Sequence, residues 1–396
     1  MTAVDAATEE SAATSLADAA RDLVPRIREL SRDMELARRL DDDLVADMDA
    51  AGLFSILVPA RWGGPGLGPR ELNRVVELIA QADVSTAWVT SFYNLHNWFL
   101  CRFPLAVQEE LYADRSSVLA AAVLQKPGSA ERVDGGYRIT GKWGYATGIL
   151  HSSHGLVPAV CNEVMSWCLV EREQLEVLDD WDVAAMTATG SVTIRADGVF
   201  VPDPRVMSVD QMMHPTEHPG NFHDHDVYRL PFSALAVCTA SIYVGALEAG
   251  VELARERLDR SSGPGGVPRV ERQMPRVNWV EARQTARVLR LVRDAATEDT
   301  IRISQRGTPP TLEEEAQTQL DISTLLRSAK NTLRTLVDAS GSSGYRSTDL
   351  LRRTANDIAM LSTHALNGEY DVAMDRHARW LLGVGRTAGD PTTRLR

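Results

Sequence analysis

The sequence lacks the features that mark a disulfide-bonded, exported or membrane-spanning protein. Its four cysteines, Cys101, Cys161, Cys168 and Cys238, form no CxxC pair, so we expect buried reduced thiols rather than a disulfide framework or a zinc knuckle. The opening MTAVDAATEESAATS has neither the basic nor the apolar region of a signal peptide. No run approaches the roughly 18 uncharged apolar residues of a membrane span. We therefore expect a cytoplasmic protein with no membrane partner.

Acidic residues outnumber basic residues in this sequence. The chain carries 42 Lys and Arg against 54 Asp and Glu, a formal net charge of -12. A negative surface gains no counterion release from a phosphate backbone, and no basic stripe with interleaved aromatic residues is present, so nucleic acid is not an expected partner. No GxGxxG motif follows a predicted strand, and a built-in NAD(P)H site is therefore not expected either.

The sequence does contain two kinds of periodic pattern. Its 396 residues, 44% of them hydrophobic, suffice for two or three structural units. Stretches such as SLADAARDLVPRIRELSRDMELARRL repeat apolar residues at three- and four-residue spacings, which predicts amphipathic helices in the first third. Short β-favouring runs such as GGYRITGKWGY and SVTIRADGVFVP follow. From residue 231, four long helical stretches separated by SSGPGGVP, RGTPP and SGSSGY favour an antiparallel bundle.

These patterns divide the chain into three parts. We predict a helical N-terminal domain over 1–117, a small central β-domain over 118–215 and a C-terminal helical bundle over 216–396. The fold is therefore expected to be mostly α with a small β-unit in the middle.

Three stretches in this order resemble landmarks of the acyl-CoA dehydrogenase superfamily. GLFSILVPARWGGPGL resembles its early VP-and-GG pattern, GGYRITGKWGYATG resembles its flavin segment, and TATGSVTIRADGVFVP resembles the β-segment that ends in VP. The match spans nearly the whole chain. The resemblance implies N-terminal helices, a β-barrel and a C-terminal four-helix bundle around a bound flavin.

The late helical region departs from the dehydrogenases of that superfamily. Where they carry a glutamate base in an IYEGT motif, this chain reads MLSTHALNGEY, with His364 near that place and Glu369 more than a helical turn further on. Arg353, Asp357 and His364 instead resemble a pattern of the two-component flavin-dependent monooxygenases, with Asn356 replacing its second arginine. STAWVTSFYNLHNWFL also resembles a helix of that branch.

This second resemblance implies an oxygenase component that hydroxylates a hydrophobic, aromatic or polycyclic small molecule. Reduced FMN or FAD from a separate NAD(P)H:flavin reductase would react with O2 and persist as a C4a-hydroperoxide in a dry pocket. The resemblance also implies a homotetramer. The alternatives are an acyl-CoA dehydrogenase or flavin oxidase with a displaced base, an amine N-oxygenase, and a flavin-free binding protein on the same scaffold.

Within the flavin segment, the resemblance implies a Ser or Thr that donates a hydrogen bond near flavin N5. Thr147 is our candidate, but Ala146 is an alternative alignment that would leave only a backbone amide, and Thr147 could equally be an ordinary strand residue. Trp143 and Tyr145 offer flat area to stack on the flavin, or else pack in the core. Gly148 is a further cofactor-contact candidate.

Polar residues from distant segments complete the expected site. Thr189, Gly190 and Ser191 lie where the family's strand approaches the flavin, unless they form only a hairpin turn. His364 is a candidate general base or proton donor, because its ordinary pKa near 6.5 allows either state. His96 is a second catalytic candidate. A structural role is the alternative for both histidines.

The resemblance implies that Arg353 helps to hold the flavin or its phosphate, often from a neighbouring subunit; ion pairing on a helix surface is the alternative. Gly341 and Gly344 lie in SGSSGYR, which resembles a joint that touches the neighbouring subunit's flavin, or forms only a turn.

A metal site is not expected. His218, His223 and His225 in HPGNFHDHD alternate with other residues, but no fourth ligand at a diagnostic spacing accompanies them.

Overall fold

The computed structural model describes residues 3–213, 225–260, 266–364, 366 and 370–384. Helices, strands and helices follow one another in the predicted order.

The N-terminal part surrounds one buried helix. Its helices are α1 Ala3–Ala37, α2 Asp42–Ala50, α3 Pro69–Ala80, α4 Val84–Leu100 and α5 Leu105–Leu111. Every residue of α4 is buried, as expected for a helix that is apolar on all sides. Asp83 caps it by accepting a hydrogen bond from the Thr86 N–H at 2.7 Å. Because α4 lies in the core, its side chains reach both the sheet and the bundle.

The central part is one sheet with a hydrophobic cluster of its own. Its strands are β1 Ala120–Ala122, β2 Gly128–Val133, β3 Gly136–Trp143, β4 His154–Cys161, β5 Val164–Glu171, β6 Glu176–Val177, β7 Ile194–Pro202 and β8 Val206–Ser208. They run in the order β6-β7-β3-β2-β4-β5-β8, and β1 pairs in parallel with β4. The expected β-barrel was wrong. The sheet stays open because its edge strands, β6 and β8, are two and three residues long and do not pair with each other.

The C-terminal part is a helical bundle. Its helices are α6 Val209–Met213, α7 Ala234–Arg260, α8 Gln273–Arg306, α9 Leu312–Ala339, α10 Leu350–Leu361 and α11 Tyr370–Leu382. Among the described helices, α7 alone is long and apolar enough to cross a membrane, over Ala234–Asp259. Of its most apolar stretch of 18 residues, 94% is buried within the protein. That burial is typical of a core helix.

The last predicted helical stretch is broken in two. α10 ends at Leu361, with Ser362 as its C-cap, and α11 begins at Tyr370. His364 therefore lies in a turn after α10 instead of on a helix face. This break lets the side chain point back toward α4.

Arg102 links the end of α4 to two later segments. Its guanidinium is fully buried and lies 3.4 Å from the ring centroid of Trp98. It donates hydrogen bonds to the carbonyls of Met212, Tyr228 and Leu230. These bonds give the buried guanidinium backbone partners in both segments.

Candidate active site

A cavity of about 280 Å³ lies where α4, the sheet and the end of α10 meet. α4 contributes Trp88 and Phe92, which are one helical turn apart on the same face. The loop after β3 contributes Tyr145, and the segment before β7 contributes Trp181. None of the described residues that line the cavity is Asp, Glu, Lys or Arg. The lining is therefore uncharged and rich in aromatic rings.

One side of the cavity carries three connected hydroxyls, which we call the hydroxyl wall: Thr147, Ser191 and Thr189. The oxygens Thr147 Oγ1 and Ser191 Oγ are 2.9 Å apart, and Ser191 Oγ lies 2.8 Å from Thr189 Oγ1. Thr189 Oγ1 donates to the Met186 carbonyl at 2.8 Å. All three side chains are buried and all three line the cavity.

The hydroxyl wall depends on a tight turn at Met186. This residue has a φ of 54°, which is left-handed and strained for a side chain of its size. Its N–H donates to the Asp357 carboxylate on α10 at 2.6 Å. Gly190, at the end of the turn, has a φ of 53°, and a Cβ there would come within 2.8 Å of Leu150 Cδ1. Only glycine fits this position without displacing a neighbour.

His364 lines the cavity opposite the hydroxyl wall. Its ring lies edge-on to Trp88 and Phe92, with centroids 4.9 and 5.9 Å away. The Leu366 N–H donates to Nδ1 at 3.2 Å, so in the neutral ring the proton is assigned to Nε2. Burial lowers the pKa of His364 to about 4, and the ring is therefore neutral at physiological pH. In this state Nε2 is a hydrogen-bond donor.

Asp357 is the buried carboxylate behind the cavity. Burial raises its pKa to about 7. The Met186 N–H and the Arg353 charge lower the pKa, while the charges of Asp83 and Glu35 raise it.

Comparison with known proteins identifies the fold family. Residues 8–113 match the acyl-CoA dehydrogenase N-terminal domain, and residues 232–369 match the acyl-CoA dehydrogenase C-terminal domain. A pigment production hydroxylase from Rhodococcus sp. (strain ATCC 21145) is 30% identical over 378 residues, which cover 94% of this chain and 97% of that protein. The chain belongs to the acyl-CoA dehydrogenase superfamily.

Two further proteins match most of its length. The oxygenase component of an FADH(2)-dependent resorcinol hydroxylase from Rhizobium sp. (strain MTP-10005) is 28% identical over 380 residues, covering 90% of this chain and 91% of that protein. The solved structure of XiaF from Streptomyces sp. in complex with FADH2 and glycerol has a TM-score of 0.89 at 24% identity, covering 98% of this chain and 99% of XiaF. The predicted resemblance to the flavin-dependent monooxygenase branch of the superfamily is confirmed.

Five of the predicted site residues meet at the cavity: Tyr145, Thr147, Thr189, Ser191 and His364. They come from three segments, of which the first and the last are more than two hundred residues apart in sequence. Tyr145 is 60% exposed and packs edge-on against Trp181, so it lies at the cavity mouth.

Trp143 does not line the cavity, which fits the alternative of core packing better than a flavin contact. Its side chain faces the interior of the sheet and is 1% exposed. A Cβ on Gly141 would lie 2.4 Å from the Trp143 ring, and one on Gly128 would lie 2.7 Å from it. These two glycines make room for the indole, which is a core residue and does not line the cavity.

Ala146 and Gly148 support the wall through their backbones. The Ala146 N–H donates to the Val192 carbonyl at 3.1 Å, and the Gly148 N–H donates to the Thr189 carbonyl at 3.2 Å. Neither residue is among those that line the cavity, and neither is Gly190. Their predicted direct contact with the cofactor is therefore not supported, and the hydroxyl of this segment belongs to Thr147.

His96 lies one layer behind the cavity. It is fully buried, its Nδ1 pairs with the Ala120 carbonyl at 2.6 Å, and its ring packs edge-on against Phe92. Burial lowers its pKa to about 4. It is not among the residues that line the cavity, so the packing role fits it better than the predicted catalytic one.

Arg353 is committed to contacts within the chain. Its Nε lies 2.8 Å from a Glu35 carboxylate oxygen, and Nη2 donates to the Ser31 carbonyl at 3.0 Å. Both partners belong to α1. These contacts fit the alternative of ion pairing between helices, and a contact of Arg353 with flavin or phosphate stays a prediction.

Gly341 and Gly344 adjoin a second cleft of about 370 Å³, which we call the arginine cleft after Arg257, Arg269 and Arg346. Gly344 packs against Arg257, and a Cβ on Gly341 would lie 3.5 Å from Arg269. No residue lines both this cleft and the cavity. The two glycines are therefore not part of the cavity of their own chain.

The histidine-rich segment offers no metal site in the part of the chain that is described. His218 and His223, like Glu369, lie outside the described residues. His225 accepts a hydrogen bond from the Val227 N–H at 3.3 Å, as a helix cap. The described residues contain no group of three His, Cys, Asp or Glu side chains that could hold a metal ion.

Sequence reasoning missed Trp88, Phe92, Trp181 and Met186 as cavity residues. Trp88 and Phe92 had a detectable signal, because residues four apart on a buried helix share one face. Trp181 and Met186 lie in irregular backbone, and no periodicity marks their direction.

We predict that Asp357 makes stability depend on pH. A carboxylate whose pKa is raised on folding destabilises the protein progressively as pH rises from about 4 to about 7. Asp357→Asn keeps an oxygen for the Met186 N–H but cannot ionise. We expect the difference in free energy of unfolding, variant minus wild type, to be larger at pH 8 than at pH 5 by on the order of 2 kcal/mol.

Thermal melts of both proteins at the two pH values measure this difference. Asp134→Asn, in the exposed turn between β2 and β3, is the control. We expect it to change the melting temperature by the same amount at both pH values. An Asp357→Asn effect that does not change with pH contradicts the prediction.

Proposed function

We propose that this chain is the oxygenase component of a two-component flavin-dependent monooxygenase, which hydroxylates an aromatic or polycyclic small molecule. The observation that carries the proposal is the cavity whose described lining is uncharged, with the hydroxyl wall on one side and His364 among aromatic rings on the other. The names of the full-length relatives support it, since they are hydroxylases.

The cavity residues fit a flavin ring system. Such a ring is flat and apolar on its faces, with polar atoms along one edge. The hydroxyl wall can bond that edge, and Tyr145 and Trp181 beside it offer aromatic surface. Reduced flavin, when bound, supplies the two electrons with which one atom of O2 enters the substrate and the other leaves as water. The chain itself binds and orients the flavin and the substrate, and it excludes water from them.

The helix side of the cavity suits a planar substrate. The rings of Trp88 and Phe92 are 4.3 Å apart and form an aromatic surface beside His364. A dehydrogenase would need a carboxylate base here, and the described lining has none, while Glu369 lies outside the described residues. These facts favour hydroxylation over dehydrogenation.

His364 acts in this proposal as a hydrogen-bond donor to the substrate. Its Nδ1 already accepts from the Leu366 N–H, and its lowered pKa keeps the ring neutral. The proton on Nε2 can therefore be donated to an oxygen of the bound substrate, which orients a phenol or carbonyl against the flavin.

The proposal includes a homotetramer and a separate reductase. An apolar stripe at helical spacing is exposed along α8: Met274, Val277, Val280, Val288 and Leu291. Exposed apolar stripes of this kind mark subunit interfaces. The arginine cleft holds three guanidinium groups, of which Arg257 pairs with Asp349 and Arg269 donates to two backbone carbonyls. The phosphate of a neighbouring subunit's flavin is the ligand that we propose for this cleft. Reduced flavin would reach the cavity from an NAD(P)H:flavin reductase on another chain.

The proposal is tested with reduced flavin and oxygen. Photoreduced FMN or FAD is mixed anaerobically with one equivalent of the protein and then with oxygenated buffer. We expect oxidised-flavin absorbance to return more slowly than it does for free reduced flavin. With a panel of phenols, resorcinol included, ¹⁸O2 should label a hydroxylated product. Reoxidation at the free-flavin rate contradicts the proposed function.

Two substitutions distinguish a hydrogen-bond donor from a base at His364. His364→Ala removes the donor, and kcat on a phenol that the wild type hydroxylates should fall roughly 100-fold. His364→Gln keeps an N–H near the Nε2 position but cannot act as a base. We expect it to recover roughly tenfold of that loss. If the two variants are equally inactive although both fold and bind flavin, His364 acts as a base instead.

The tetramer is tested at α8. Light scattering should give four chains of 43.5 kDa for the wild type. Leu291→Glu places a charge in the apolar stripe, and we expect a smaller assembly. Val164→Glu, on the exposed end of β5, is the control and should stay tetrameric. A wild-type monomer refutes this part of the proposal.

A further inference from the structure

The cavity offers hydrogen bonds to a substrate but no positive charge. Its described lining contains no Lys or Arg, and its polar groups are hydroxyls, the Gln125 amide and the His364 imidazole. Burial lowers the pKa of His364 to about 4, so the ring is uncharged near neutral pH. Beyond the described residues, Lys and Arg occur only within 385–396. A bound anion would therefore lack a counter-charge in the described lining.

Two arginines near the lining are held by carboxylates. Arg38 donates to the Trp181 carbonyl at 3.2 Å, and its Nη2 lies 2.8 Å from an Asp179 carboxylate oxygen. On α10, the Nε of Arg353 lies 2.8 Å from a Glu35 carboxylate oxygen. Each of these positive charges is balanced by an acid, and neither arginine is among the described residues that line the cavity.

Further carboxylates lie behind the lining. Asp357 accepts the hydrogen bond of the Met186 N–H at 2.6 Å, and Met186 lines the cavity. Asp83, at the start of α4, is a second buried carboxylate whose charge acts on Asp357. When these two groups are ionised, they repel a nearby anion. The surroundings of the cavity therefore add to the cost of an anionic ligand.

An anionic substrate loses more than a neutral one on entering such a cavity. A carboxylate that leaves water without a positive partner costs far more free energy than a neutral polar group that keeps its hydrogen bonds. A phenol hydroxyl or an amide can bond to Gln125, to His364 or to the hydroxyl wall without any charge. The rings of Trp88 and Phe92 contact an aromatic ring equally well in both cases. The lining therefore discriminates between substrates by charge.

We propose that the cavity takes neutral phenols and excludes phenols that carry a carboxylate. This inference rests on the proposed function and narrows its substrate to a chemical class. The class includes single-ring and fused-ring phenols with hydroxyl, amide or alkyl substituents, and it leaves out the hydroxylated aromatic acids.

A matched pair of phenols tests the inference. 4-Hydroxyphenylacetamide and 4-hydroxyphenylacetate have nearly the same shape, but at about pH 7.5 only the acid carries a negative charge. Equilibrium dialysis against the protein saturated with oxidised FMN gives the two dissociation constants. We expect the amide to bind at least roughly tenfold more tightly than the acid. If neither compound binds, 6-hydroxy-2-naphthamide and 6-hydroxy-2-naphthoate fill more of the cavity and give the same comparison.

Substitutions to arginine separate the effect of charge from that of shape. Leu124 lines the cavity and is 38% exposed, so Leu124→Arg adds a guanidinium at the rim. We expect the ratio of the dissociation constants, acid over amide, to fall roughly tenfold, because arginine pairs with a carboxylate.

Val160→Arg is the matched control. Val160 is 39% exposed on β4 and is not among the residues that line the cavity, so the ratio should stay at the wild-type value. A melting curve for each variant confirms folding. Thr363→Arg, at another lining position, carries the test if Leu124→Arg does not fold.

The outcomes are distinct. A high wild-type ratio that falls in the cavity variant and not in Val160→Arg supports the inference. A wild-type ratio near one overturns it and leaves the proposed function standing. So does a high ratio that arginine at both cavity positions leaves unchanged, because shape would then select the substrate, and so does a protein that binds flavin but neither amide. A protein that binds neither FMN nor FAD overturns the proposed function, and the inference with it.

Discussion

The cavity depends on one hydrogen bond between the bundle and the sheet. Met186 adopts a left-handed backbone, which costs a non-glycine residue roughly 1–2 kcal/mol. A carboxylate on α10 binds its N–H at 2.6 Å and holds the turn in place. That turn carries the carbonyl to which the hydroxyl wall is attached, and α10 leads directly into the turn that carries His364. This one contact therefore fixes the position of the hydroxyl wall relative to His364.

The two walls divide the chemistry between different parts of the chain. The sheet side supplies short side chains with hydroxyls, which are held by backbone bonds and suit a polar ring edge. The helix side supplies aromatic rings and one neutral imidazole. Charges stay behind the walls, where Arg353 pairs with Glu35 next to the buried Asp357. The uncharged lining keeps the cavity apolar, and hydrogen bonds within it are stronger than in water.

The order of helices and strands could be predicted from the sequence because periodicity reports local burial. The hydroxyl wall was also within reach, because family motifs fixed the register of two segments. The direction of side chains at strand ends could not be predicted. Trp143 and Tyr145 are two residues apart, yet Trp143 packs in the core and Tyr145, in a left-handed turn, faces the cavity. Long-range partners were also beyond local patterns, since Arg353 pairs with α1 more than three hundred residues earlier. An open sheet and a closed barrel share the same local strand signals.

The most direct test is a crystal structure of the protein soaked anaerobically with reduced FMN. We expect density for the ring system in the cavity, with N5 within hydrogen-bond distance of Thr147 Oγ1 and with the Trp88 and His364 side open for substrate. Ring density at another site, or N5 turned away from the hydroxyl wall, would contradict this expectation.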